Sequence, residues 1–157
     1  MAKWLFKSEP FKWSFEQMKA AGARGTQWDG VRNYQARNNM RAMRLGDLGF
    51  FYHSNEGLEV VGIVEVAALV HPDSTTDDPR WECVDVRAVR DMPRPVSLVA
   101  IKAEPALAQM SLVTSMRLSV QPVTEAEWAV VCRMGGLSPD EIAALDATRG
   151  VSAGVDS

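Results

Sequence analysis

The sequence predicts an α+β domain, a curved sheet or small barrel of about five to six strands flanked by short helices. Three observations carry this. Strand-forming runs follow one another through turns in the middle of the chain, with no βαβαβ alternation. Helix starts are marked by capping boxes, in which a Ser or Thr and a Gln or Glu three residues later satisfy each other's free amides, at 14–17, 124–127 and 138–141. The 157 residues are 46% hydrophobic and include five tryptophans. That suffices for one core, since a domain of this size buries roughly 70% of its unfolded surface.

In chain order, residues 3–7 (KWLFK) form an apolar run bounded by Pro10 and read as a buried first strand. Ser14 opens a helix that should fail near Gly22 and Gly25. A turn-rich passage through Trp28-Asp29-Gly30 leads to a second helix over 33–44. There Ala36, Met40 and Met43 recur at helical spacing as a core stripe, and Arg37, Arg41 and Arg44 make an adjacent cationic stripe. Gly46 stands where a left-handed helix cap is expected.

Residues 48–53 (LGFFYH) and 59–69 (EVVGIVEVAAL) then read as strands joined by the turn Ser54-Asn55-Glu56-Gly57. A polar loop, 71–80, is expected outside the core. Residues 81–89 alternate, with Val84, Val86 and Ala88 on one side and Asp85 and Arg87 on the other, as a half-buried strand does. Pro93-Arg94-Pro95 is expected to end that strand. Short helical turns follow at 97–102 and 105–110, a last strand at 117–123, a helix from Thr124 to about Arg133, and another with Pro139 at its first position. After Leu145 the chain is small and polar, so the expectation is a short helix and then a frayed tail.

Charge is uneven. Residues 1–55 hold nine Lys/Arg against four Asp/Glu, a net +5, so with a whole-chain charge of −3 the remainder carries −8. One face can therefore attract phosphate while the molecule stays acidic. The apolar h-region and small-residue cleavage site of a signal peptide are not seen, nor is an apolar run long enough to span a bilayer. Cys83 and Cys132 are far apart and read as reduced thiols, which places the protein in the cytoplasm, or in the nucleus of a nucleated source. His53 and His71 fit no metal-ligand spacing, and the dinucleotide, phosphate-loop and nucleophile-elbow fingerprints are missing. No cofactor, metal or membrane partner is therefore expected.

The first third is rich in aromatic and amide groups: Trp4, Trp13, Trp28, Tyr34, Phe50, Phe51 and Tyr52 lie among Lys7, Ser8, Asn33, Asn38, Ser54 and Asn55. A ring stacked on a nucleobase contributes about 1–3 kcal/mol, and Asn, Ser and backbone amides read a base edge because they donate and accept. The plainer reading is that Trp4 and at least one of Phe50 and Phe51 are core, that Trp28 is divided evenly between pocket and core, and that the arginine stripe is a solvated helix face.

The segments WLFKSEP (4–10), WDGVRNYQARNNMRAM (28–43), FFYHSN (50–55), VGIVEV (61–66), VDVRAV (84–89) and RLSVQPV (117–123) resemble, in order, the EVE domain family. This is the thymocyte nuclear protein 1-like group of the PUA-like superfamily, related to YTH and ASCH domains. The resemblance covers about 2–134 and implies a domain over 1–134 with a C-terminal extension, 135–157. It further implies a PUA-like fold and a non-catalytic module that recognises a modified cytosine or adenine in DNA or RNA. By position Trp28 looks like the cage tryptophan, with Lys7 and Ser8 at the pocket mouth, Ser54 and Asn55 opposite, and Arg117 where the family presents an arginine. The loop 71–80 holds none of the further cage aromatics of YTH domains, so Trp13, Tyr34 or Tyr52 would complete the wall. Ser8, Asn33 and Asn55 would read the base edge, and Lys12, Arg32, Arg37 or Arg41 would hold flanking phosphates. The alternatives are an ASCH-like nucleoside hydrolase, pairing Lys7 with Glu9, Glu65 or Asp29, and a small-metabolite sensor. A monomer is expected.

Overall fold

A computed structural model describes residues 2–156, of which 148–156 are described by their backbone alone. The first strand, β1 (Lys3–Ser8), leads through a capped helix, α1 (Phe15–Ala20), to a two-residue strand, β2 (Thr26–Gln27). Helix α2 (Tyr34–Ala42) follows, then three long strands, β3 (Leu48–His53), β4 (Glu59–Pro72) and β5 (Glu82–Ser97). Two short helices, α3 (Leu98–Ala103) and α4 (Ser111–Thr114), precede β6 (Val120–Val123), and α5 (Glu125–Met134) and α6 (Pro139–Asp156) complete the chain. The strands form one six-stranded mixed sheet in the order β2-β5-β4-β3-β1-β6. Only β1 and β3 run parallel, joined by the crossover that contains α1 and α2.

Both faces of the sheet are covered. On one, Leu5, Phe50, Tyr52 and Ile63 pack against Ile101, Leu112, Trp128 and Val131. On the other, Trp4, Phe6, Phe51 and Val64 pack against Phe15, Met18, Trp28, Ala36 and Met40. Adjacent strand residues point to opposite faces, so a two-sided cover buries both Phe50 and Phe51 completely. Each such ring contributes about 1.5–3 kcal/mol by leaving water. Close approach requires glycine at position 62, where an added Cβ would lie 2.2 Å from Phe15 Cζ.

The capping boxes at Ser14 and Thr124 form as expected, and Ser138 and Glu141 exchange the same pair of bonds at the start of α6. Ala36, Met40 and Met43 are buried. Several expectations are corrected. Strand β5 does not stop at Pro93-Arg94-Pro95. Its register with β4 shifts between Val60 and Gly62, so these residues lie in a bulged stretch where proline amides are not needed by the ladder. Helix α2 ends at Ala42 with Met43 extended, so Gly46, although left-handed at φ 83°, belongs to the turn into β3 and donates to Val66 O. Strand β6 begins at Val120 rather than at 117. In the 71–80 loop Asp73 is buried, because its carboxylate is engaged by Gly30, Arg32 and Thr75.

The final helix continues past the expected short segment to Asp156. Leu137 and Leu145 join the first core cluster. The Lys3 ammonium, its side chain 0% exposed, donates to Glu125 Oε1 at 3.1 Å and Asp146 Oδ1 at 2.8 Å. The last helix is thereby tied to the first strand.

Candidate functional site

Because β1 and β3 are parallel neighbours, both end at one rim of the sheet. Lys7 is the register partner of Tyr52 and Ser8 of His53. The pairing extends one step further, with the Ser54 amide donating to Ser8 O at 2.9 Å. Alternation then sends Lys7 and Tyr52 to one face and Ser8 and His53 to the other.

On the first face lies a cavity of about 180 Å³. Its polar lining is Lys7, Tyr52, Ser54 and Asn55, and its apolar walls are Leu58, Leu98, Leu112 and Met116. Lys7 Nζ donates to the Met116 carbonyl. Burial pulls the Lys7 ammonium below its ordinary 10.5 and pushes the Tyr52 phenol above its ordinary 10.0, so Tyr52 keeps its proton as a donor. The back of the turn is held by Leu98 N, which donates to Leu58 O at 2.8 Å.

On the opposite face, Ser8 Oγ donates to Trp13 O at 2.5 Å, and Trp13 Nε1 lies 3.4 Å from Met18 Sδ. His53 Nε2 accepts from Phe15 N at 3.2 Å, and burial lowers its pKa, both of which favour the neutral ring. Trp28 is only 7% exposed and packs edge-on against Phe6 at 5.3 Å and Phe51 at 5.7 Å. It is a core residue on the face away from the cavity. The expected cage tryptophan therefore does not form the cavity wall.

The remaining expected residues are divided between two places. Asn33 caps α2, accepting from Ala36 N at 2.9 Å. Tyr34 stacks on Trp81 at 5.0 Å and accepts from Arg80 Nη1. Arg32 bonds Asp73 and Thr75, Arg37 donates to Arg80 O, and Arg41 pairs with Glu82. Of these three arginines, expected to hold phosphates, Arg32 and Arg37 bond the β4–β5 loop and Arg41 ties α2 to the start of β5. Lys12, in the turn that follows β1, lies 3.1 Å from Glu9 Oε2. Arg117 is exposed, follows the cavity residue Met116 and makes no ion pair among the described residues.

Of the residues the resemblance singles out, Lys7, Tyr52, Ser54 and Asn55 line this cavity, and Leu58, Leu98, Leu112 and Met116 line it without having been singled out. No motif marks those four, because they reach the cavity from a turn, two helices and a loop far apart in the chain. Both thiols, Cys83 and Cys132, are pushed up to about 12 by burial and are poor nucleophiles. Among the described residues, no three His, Cys, Asp or Glu side chains are grouped as a metal site requires. Nor is any described helix long and apolar enough to cross a membrane.

A six-stranded mixed sheet with helices on both faces and a small cavity at the end of its parallel pair defines a PUA-like α+β module. The chain belongs to the EVE domain family, which matches residues 2–134. The solved structure of protein Atu2648 from Agrobacterium tumefaciens is 71% identical, with a TM-score of 0.88 over 88% of this chain and 96% of that one. Human thymocyte nuclear protein 1 is 39% identical, over 87% of this chain and 75% of its own length. The crystal structure of human THYN1 in complex with 5-methylcytosine-containing DNA is 37% identical, with a TM-score of 0.82 over 88% of this chain and all of that one. A YTH domain from Zygosaccharomyces rouxii, at 18% identity and a TM-score of 0.53, shares the fold.

Proposed function

We propose that this chain is a non-catalytic binding module that takes up a single modified nucleobase, 5-methylcytosine in DNA being the first candidate. The observation that carries this is the cavity where β1 and β3 end. At about 180 Å³ it is smaller than the roughly 300–1,000 Å³ of ordinary ligand pockets, which suits a base with its sugar and phosphate left outside. Its leucine and methionine walls accept the flat ring and the methyl group. Lys7 and Tyr52 supply donors for the cytosine O2 and N3 acceptors, and Ser54 and Asn55 supply acceptors for its amino group. Arg117, exposed and next to the cavity residue Met116, would hold a flanking phosphate.

The human relative solved with 5-methylcytosine-containing DNA supports the choice of ligand. An intracellular site of action follows from it, in keeping with the relative's name, thymocyte nuclear protein 1. Among the described residues that line the cavity none is a carboxylate, so Lys7 has no acidic partner in that lining for a lysine–carboxylate hydrolysis, and binding is favoured over turnover. Burying one methyl contributes about 0.8 kcal/mol, so the methyl group alone discriminates only about fourfold. Larger selectivity would require ordering of the polar contacts.

The test is calorimetric titration with matched oligonucleotides carrying cytosine, 5-methylcytosine, adenine or N6-methyladenine, at two salt concentrations. Tighter binding of one modified base, weakened by salt, is expected. Equal affinity for all four, or none, would sink the reading.

A further inference from the structure

We propose that Leu58, together with Met116, is the wedge that fills the gap left when a base is drawn out of duplex DNA into the cavity. This rests on the base-binding reading above and adds the state of the DNA on which the module acts.

Leu58 lies in the turn between β3 and β4 with φ 51°, in the left-handed region that branched and bulky side chains avoid. The same turn already contains left-handed Asn55 and Gly57, residue types suited to that conformation. Glycine or asparagine at position 58 would hold the turn with less strain. The leucine's side chain is not spent on the core either, for it is 43% exposed. Its carbonyl is pinned by Leu98 N at 2.8 Å, which holds the strained residue in place. Met116 is 57% exposed, and its carbonyl is held by Lys7 Nζ. Both side chains line the cavity and reach solvent, so both stand at its opening.

A cavity sized for a base alone can receive it from a duplex only after the base has left the stack. The vacated space is walled above and below by the apolar faces of the neighbouring bases. An apolar side chain inserted there offsets the lost stacking, as Leu and Met do in proteins that kink DNA. A preset, partly exposed leucine beside the receiving cavity meets that requirement without a conformational search.

The experiment compares the wild-type chain with Leu58→Gly, Met116→Ala and the double variant. Affinity is measured for one 5-methylcytosine oligonucleotide as a single strand, as a perfect duplex, and as a duplex with an abasic site opposite the modified base. Glycine accepts the left-handed conformation, so Leu58→Gly should melt no lower than wild type and its binding can be read directly. The double variant is expected to lose about tenfold in affinity for the perfect duplex. Because both side chains also wall the cavity, a small loss on the single strand is expected, but the loss on the perfect duplex should be several-fold larger, and much of that excess should be regained on the abasic duplex. Equal loss on single strand and duplex would make the two residues cavity wall and nothing more, and no loss on the duplex would leave them without a role; either overturns the wedge. Wild-type protein that binds the single strand but not the duplex also overturns it while leaving the base reading intact. Binding of neither would remove both.

Discussion

Lys7 and Tyr52 are register partners on the parallel strands β1 and β3, and both side chains line one small cavity. Parallel pairing brings this about, since two strands that run the same way finish side by side and deliver their last side chains to a common rim. Their neighbours Ser8 and His53 leave the same rim on the other face.

The first prediction concerns that pair. Lys7→Met keeps the apolar stem and removes the charged donor, which should weaken binding of a 5-methylcytosine oligonucleotide by about 1.5–3 kcal/mol. Tyr52→Phe removes a neutral donor and should cost about 0.5–1.5 kcal/mol. Calorimetry on the purified variants measures both, and a Lys7→Met protein with wild-type affinity would move the site elsewhere.

Trp28 should behave as a core residue. Its ring lies edge-on to Phe6 and Phe51 and is 7% exposed. Trp28→Ala is expected to lose about 3–5 kcal/mol of stability, lowering Tm by roughly 10 °C. A variant that melts like wild type yet no longer binds would show instead that the indole is a wall of the binding site.

Salt dependence separates the arginines. Arg41 is neutralised by Glu82, whereas Arg117 makes no ion pair among the described residues. Arg117→Gln should reduce the slope of log K against log salt by about 0.7–0.9, the value of one lost phosphate contact. Arg41→Gln should leave the slope unchanged. Titrations across a salt series decide this, and the reverse ranking would restore the α2 stripe as the phosphate track.

Asp73 gives a pH prediction. Burial alone would raise its pKa, but bonds from Thr75, the Gly30 amide and Arg32 hold it at about 2, below the ordinary 3.8. The folded-state pKa is depressed, so its stabilisation is present above the ordinary value and lost as pH falls through about 2. This group accounts for about 2 kcal/mol over that window. In Asp73→Asn, unfolding followed by circular dichroism from pH 5 to 2 should show a shallower fall than in wild type. An identical fall would assign the acid sensitivity to other groups.

Much of the architecture is legible in the amino-acid sequence. The capping boxes place the starts of α1, α5 and α6, because a cap is a bond between residues three apart and needs no distant partner. Runs such as LGFFYH place β3 to the residue. The passage of β5 through Pro93 and Pro95 is not legible, since the shift against Val60 and Gly62 that accommodates the prolines belongs to the partner strand. The polar lining of the cavity, Lys7, Tyr52, Ser54 and Asn55, is among the residues the resemblance singles out, and the apolar lining is not.

By itself the sequence determined what short-range chemistry controls: the class of fold, the helix starts, the buried stripe of α2, and membership of a family through WLFKSEP and GVRNYQARN. The tertiary structure alone decided which side of the sheet each group serves. It placed Trp28 in the core behind Phe6 and Phe51, and it turned Arg32 and Arg37 towards an acid and a carbonyl of the β4–β5 loop and Arg41 towards Glu82 at the start of β5. It also gathered Leu58, Leu98, Leu112 and Met116 around Lys7. The physical reason is one of range. A residue's role in a site depends on the face its strand presents and on the partners that long loops bring to that face, and both are set by pairing between segments far apart in the chain.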